Sequence, residues 1–276
     1  MVIRHEDLIG SFEQKKALVA QFNLMDDTFF SVVMEHNDAA EYLLTQLLGK
    51  PVKIIENKTQ YSIRNVESHS IVLDALVEDE DHNLYDVEVQ VGDKKNHERR
   101  IRYYRTAIDW SYLEKGKKFS ELPELYMIFI SDFDPFDMKK VHYEITQYVE
   151  GTGLKYDSGV HIHYFNTKAK DETFLTKLMQ YLANSDADNN SFGALSQQVN
   201  YHKYIEEGVD SMCKAVEEYA KKYAEEYAKV REEKGKIEGK IEAVKNMLKK
   251  NISFETALEF VGIDRQTYDK YAVNEQ

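Results

Sequence analysis

Ile71-Val72-Leu73-Asp74-Ala75-Leu76-Val77 and Leu84-Tyr85-Asp86-Val87-Glu88-Val89-Gln90-Val91 are the two stretches that decide how this chain folds. In the second, the side chains alternate with a period of two. Val87, Val89 and Val91 therefore share one face of a strand, and Asp86, Glu88 and Gln90 share the other. Acids on a strand face away from the core are ordinarily solvated, which is the simplest account of Asp86 and Glu88. Asp74 is the more telling residue, because it interrupts an apolar run where an ionised carboxylate is costly unless paired or bound to a metal. Between the stretches lie Asp79-Glu80-Asp81-His82-Asn83, a run of turn formers. Three extended segments, Val52 to Val66, Ser70 to Glu78 and Leu84 to Val91, thus predict an antiparallel ribbon.

On the amino-terminal side, Asp26-Asp27-Thr28 starts a short helix to Glu35. A second runs from Asp38 to Leu48, with Gly49 past its end and Pro51 as the stop. On the other side, Ile101, Tyr104, Ile108 and Tyr112 recur at three- and four-residue spacing, so Asn96 to Glu114 reads as an amphipathic helix. Tyr126-Met127-Ile128-Phe129-Ile130 marks a buried strand from Leu125 to Ser131, which closes a β-α-β unit. A strand at Val160 to Phe165 and a helix at Glu172 to Leu182 complete an α/β layer with a mixed sheet. Asn184 to Asn190 reads as a loop.

The hairpin brings Asp74 beside Glu88, with the carbonyl of Val89 close by. Two carboxylates and a carbonyl are the hard oxygen ligands that Mg²⁺ accepts while keeping several waters. Such an ion can activate water against a phosphodiester. Gln90, two residues on, can orient a water or a phosphate but cannot act as a cation. Arg100 and Tyr104, one helical turn apart, can face the same place, Arg100 reaching a phosphate and Tyr104 packing beneath it. His161 and His163 share a strand face, but nothing nearby in the sequence completes a metal site.

Asp74, thirteen residues, Glu88-x-Gln90 and then Arg100-x-x-x-Tyr104 on a helix resemble the PD-(D/E)XK nuclease family transposases and recombination-promoting nucleases. Asp26-Asp27-Thr28-Phe29-Phe30 resembles that family's first helix motif, with Phe30 where Lys is usual, and the likeness extends from about Asp26 to Phe165. Gln90 stands where the superfamily has its catalytic Lys. The resemblance implies a restriction-endonuclease-like fold, a divalent metal (Mg²⁺ or Mn²⁺) held by Asp74, Glu88 and the Val89 carbonyl, and endonuclease activity on DNA, with Asp74, Glu88 and Gln90 catalytic. RNA as the substrate is a third possibility that shares the same chemistry. The alternative is the same fold without catalysis, serving as a nucleic-acid-binding or assembly module.

Composition bounds the rest. A net charge of −13 argues against non-specific coating of nucleic acid, so any DNA contact must be local. The cations cluster in Lys94, Lys95, His97, Arg99, Arg100, Arg102 and Arg105, then Lys115, Lys117 and Lys118; Lys95, Arg99, Arg100 and Tyr104 are the expected DNA contacts. Trp110 and the tyrosines read as core or interface. The single cysteine, Cys213, excludes an internal disulfide and reads as a semi-buried helix residue. No apolar run spans a bilayer and the amino terminus lacks a signal-peptide pattern, so a cytoplasmic protein with no membrane partner is expected.

Beyond Tyr201 the composition turns to Glu, Lys, Ala and Tyr. Val216, Ala220, Tyr223, Tyr227, Val230, Lys234, Ile237, Ile241, Val244 and Leu248 step by four and three, which predicts a long coiled-coil-like helix and a homo-oligomer formed through it. A helix folded back on the preceding domain is the competing reading. Short helices follow from Ser253 and Asp264. The expected organisation is a nuclease-like domain over 1–200, the heptad helix over 201–250 and a small helical element over 251–276.

Overall fold

A computed structural model describes residues 8, 10–63, 71–92, 94–113 and 115–272. The parts of the expected ribbon at Arg64 to Val66 and at Ser70, and the expected helix end at Glu114, lie outside the described residues. Chain contacts divide the protein into two units, one up to Val216 and one from Glu217.

The first unit opens with helices α1 (Phe12–Val19), α2 (Asp27–Met34) and α3 (Asn37–Leu48). Gly49 ends α3 at a φ of +65°, a left-handed conformation that only glycine adopts without strain. Strands β1 (Ile54–Ile63), β2 (Ile71–Asp79) and β3 (Leu84–Gln90) follow, then α4 (His97–Tyr112) and β4 (Leu125–Ser131). Next come β5 (His142–Ile145), β6 (Val160–Asn166), α5 (Phe174–Asn184) and α6 (Gly193–Tyr204). The six strands form one sheet in the order β1-β2-β3-β4-β6-β5. β3, β4 and β6 run parallel, while β1, β2 and β5 pair antiparallel to their neighbours.

Helices cover both faces. On one, Ala75, Val77, Val87, Val89, Ile128, Ile130 and Phe165 pack with α2, α3, α5 and α6. On the other, Leu73, Leu76, Leu84, Leu125, Met127, Phe129 and Tyr164 pack with Ile101 and Ile108 of α4. The strand face carrying Asp86 and Glu88 is therefore buried, which corrects its reading as a solvated face. The β3–α4–β4 connection lays an amphipathic helix over it, as a parallel pair requires.

β5, α1 and α6 were not expected. β5 has four residues and no clean alternation, and α6 (GALSQQVNYHKY) carries too many polar residues for an obvious apolar stripe. Each is recruited by tertiary burial, through Tyr143, through Leu18 and Val19, and through Leu195 and Val199 respectively.

Helix α7 (Glu206–Lys249) runs across the division between the units. In the first unit, Val209, Met212, Cys213 and Val216 belong to the core that holds α2 and α3. Val216, the first seam position, is thus committed inside the chain, and Cys213 is buried rather than half-exposed. In the second unit, α7 is followed by α8 (Phe254–Val261) and α9 (Arg265–Ala272). Ile241 and Val244 are buried there with Ala257, Leu258 and Ile263, and Ile237 packs against them. The expectation that these seam positions need a partner chain is thereby overturned, because short helices of the same chain cover them. The seam side chains of Tyr223, Tyr227 and Val230 lie outside the described residues. Among the described residues, no helix is long and apolar enough to cross a membrane.

Candidate active site

β2 and β3 pair only from Ala75↔Val87 to Glu78↔Leu84. Beyond that point β2 stays with β1 as far as Ile63↔Ile71, and β3 stays with β4 as far as Gln90↔Ser131. The sheet therefore forks, and backbone groups on the two inner edges lose their ladder partners. Two carboxylates replace the missing bonds: Val89 N donates to Asp74 Oδ2 at 2.9 Å, and Asp74 N donates to Glu88 Oε1 at 3.1 Å. This accounts for Asp74 inside an apolar strand, since a buried polar backbone left unpaired is costly. The Val89 carbonyl points to the same edge as its amide, because both groups of a strand residue face one neighbour.

The support for Asp74 comes from the neighbouring elements. Ser31 of α2 donates from Oγ to the Asp74 carbonyl at 3.3 Å, and Gln60 Nε2 donates to Ser31 Oγ at 2.8 Å. Gln60 holds a φ of +46° between the pairs Thr59↔Ala75 and Tyr61↔Leu73, directly opposite Asp74. A non-glycine residue in that region is strained, and here its side chain reaches the residue that holds Asp74.

Beside the fork sits a small cavity lined by Asp86, Glu88, Arg100, Ile101, Tyr104 and residues of β4. Glu88 is 4 % exposed and Asp86 0 %, and Glu88 Oε2 and both Asp86 carboxylate oxygens have no hydrogen-bond partner. Burial, and then the charge of Asp74, push both carboxyls well above the ordinary carboxylate range. Burial likewise pushes Asp74 up to about 7, against the pull of the Val89 amide. Arg100 offsets part of this upward shift, with its guanidinium 3.9 Å from Glu88 Oε2.

Arg100 also donates to Gln90 Oε1 and, through Nε, to Tyr104 Oη at 3.2 Å, and it lies over the Tyr104 ring. Gln90 Nε2 donates to the Val91 carbonyl at 3.1 Å. Asp74, Glu88, Val89, Gln90, Arg100 and Tyr104 are thus brought together. Lys95 and Arg99 are exposed. Two members of the basic cluster are otherwise engaged. His97 is buried against Tyr164, and burial holds its pKa below the usual imidazole value; Lys94 pairs with Asp137 at 2.5 Å. Phe30, where the resemblance expects Lys, is a fully buried core residue.

Asp86 lines the same cavity, and the sequence reading left it out of the candidate site. The signal was present in its alternation with Glu88, but a solvated face explained it as well. His161 and His163 do not form a metal pair: His161 contacts Glu124 at 2.6 Å and His163 contacts His142 at 3.0 Å.

The residues present fit a hard divalent cation. They offer buried carboxylate oxygens without hydrogen-bond partners and a carbonyl on the opened strand edge, the oxygen donors that Mg²⁺ takes alongside waters. Among the described residues, no group of three or more His, Cys, Asp and Glu is arranged to hold an ion, so side chains alone do not complete such a shell.

A six-strand mixed sheet flanked by helices, with acids at a strand fork, is consistent with the restriction-endonuclease-like class of nucleases. Residues 29–243 match the family described as PD-(D/E)XK nuclease family transposase, and the chain belongs to that family. Its proteins are nuclease-type hydrolases that generally use divalent metals, with DNA the implied substrate. No curated protein and no solved structure matches the chain.

Proposed function

We propose that the chain is a divalent-metal-dependent endonuclease, using Mg²⁺ or Mn²⁺ to hydrolyse DNA phosphodiester bonds, with Asp74, Glu88 and Gln90 as its catalytic residues. The observation that carries this reading is the fork itself, where Asp74 and Glu88 cross-link the parting strands and Glu88 Oε2 is left buried without a hydrogen-bond partner. Asp74, Glu88 and the Val89 carbonyl would hold the ion. Bound there, a divalent cation supplies a nucleophilic water at neutral pH and offsets charge on the phosphate oxygens.

The protein's own groups do the rest. Arg100, already poised between Glu88, Gln90 and Tyr104, can swing its exposed fork to a phosphate oxygen as a charge-assisted donor. Gln90 is released by that movement and can orient a water through its amide, without the charge a Lys would bring. Tyr104 gives the guanidinium a platform.

Incubation of supercoiled plasmid with the purified protein in Mg²⁺, Mn²⁺ or EDTA tests the proposal. Nicked and linear products with either metal and none in EDTA are expected, and loss of cutting in both Asp74→Ala and Glu88→Ala should accompany them. Equal cutting by wild type and Asp74→Ala removes this site from the reaction. Absence of cutting under every condition leaves the non-catalytic nucleic-acid-binding reading in its place.

A further inference from the structure

We propose that the outward face of α4 is a stacking surface for an unpaired nucleic-acid strand, alongside the candidate site. At about 100° per residue, Arg99, Tyr103, Thr106 and Trp110 fall within an arc of roughly 60°, on the side opposite the buried His97, Ile101 and Ile108. All four are exposed, Trp110 by 67 %. Arg102 flanks this stripe on one side, and on the other Arg100 stands between it and Glu88. No acid lies in the stripe.

The sequence reading expected Trp110 in a core or an interface, and its burial would be worth a few kcal/mol. Instead the largest side chain in the protein projects into water from a helix whose other face is well packed. Charge says which partner fits. From Lys94 to Lys118 the chain has nine Lys and Arg against three acids, whereas the whole chain has 36 against 49. The segment is net positive in a net negative chain, so a polyanion is drawn to it.

Aromatic exposure then selects among polyanions. Bases in a duplex are already stacked on one another and offer an indole no face, whereas unpaired bases stack on Trp and Tyr with little regard to sequence. Arginine beside aromatic rings suits the same task, pairing with phosphate and lying flat on bases. The inference rests on the nucleic-acid substrate of the proposed function and narrows it to substrates with a single-stranded segment, such as flaps, gaps or unwound ends.

Trp110 is the only tryptophan in the chain, so its emission reports this face without a label. In EDTA, which prevents cutting, oligo(dT) should quench that emission in parallel with binding followed by fluorescence polarisation. Tyr103→Ala should weaken oligo(dT) binding on the order of tenfold while leaving affinity for a duplex of the same length unchanged. Emission that stays constant as oligo(dT) binds, equal loss for both substrates, or no oligo(dT) binding overturns the proposal. Emission that changes with protein concentration alone also overturns it, and marks the face as a contact between two copies. The metal site is judged separately by plasmid cutting: cutting without quenching refutes the stacking face only, and quenching without cutting refutes the nuclease only.

Discussion

Replacing Asp74 with asparagine should make the metal-free protein more stable at alkaline pH, although the proposed catalytic role predicts that the same change stops plasmid cutting. Burial raises the Asp74 carboxyl from 3.8 to about 7, so the folded state holds this proton more tightly than the unfolded chain does. Between those two values the folded protein carries more bound protons, and its stability must fall as pH rises. The loss is complete above about pH 7. At about 1.4 kcal/mol per unit, the full shift is worth roughly 4 kcal/mol. For a unit of this size that is on the order of 10 °C in melting temperature. Asparagine keeps an oxygen for the Val89 amide and has no charge to bury, so Asp74→Asn should escape the penalty.

Thermal melts in EDTA at pH 5.5 and 8.5 measure the effect. Wild type should melt several degrees lower at the higher pH, and Asp74→Asn should change less and exceed wild type there. A divalent ion should restore wild type by mass action and leave the variant unmoved. A wild-type melting temperature that does not fall with pH, together with an Asp74→Asn variant no more stable at pH 8.5, would refute the argument that an uncompensated carboxylate is stored at the fork.

Other outcomes follow from the same geometry. Gln90→Ala should slow plasmid cutting by something on the order of 10²-fold, and Gln90→Lys should retain or raise it; full activity in Gln90→Ala would take the residue out of the reaction. Arg100→Glu with Lys95→Glu should weaken DNA binding and flatten its dependence on salt, and an unchanged salt slope would place the DNA elsewhere. Val244→Asp, which puts a charge among Ile241, Ala257 and Leu258, should abolish a separate melting step of the carboxy-terminal unit while plasmid cutting persists. A single unaltered melt would contradict that packing. Light scattering of the full chain should show a dimer through the middle of the seam, and a monomer at tens of micromolar would count against any oligomer through α7.

The fold was legible where local pattern and tertiary fate agree. The alternation in Leu84 to Val91, the turn at Asp79 to Asn83 and the four-residue spacing from Ile101 to Tyr112 each predict what is found. The site was half legible. Asp74 announced itself by the cost of its surroundings, while Asp86 did not, because period-two alternation records which residues share a face and not whether that face is later covered. Burial of the Asp86 face depends on α4 returning across β3, a fact about topology that no residue in Tyr85-Asp86-Val87-Glu88 encodes.

The long helix shows the same limit from the other direction. A four-three repeat says that a helix has a continuous apolar stripe, and it is silent on what meets the stripe. Val216 finds the core of the first unit, and Ile241 and Val244 find α8 and α9. Leu248, at the end of the seam, is 36 % exposed, but Val216 near one end and Ile241 and Val244 near the other are satisfied within one chain. Between them the apolar repeat is carried by Ala220, Tyr223, Tyr227 and Val230 before Lys234 interrupts it. Any association through α7 must draw on that short stretch. Four seam positions correspond to about two heptads, fewer than the three or four over which a coiled coil is ordinarily sustained. A dimer made this way should be weak, so dissociation on dilution is the behaviour to expect of the full chain, and a dimer that survives at nanomolar concentration would require an interface other than the seam.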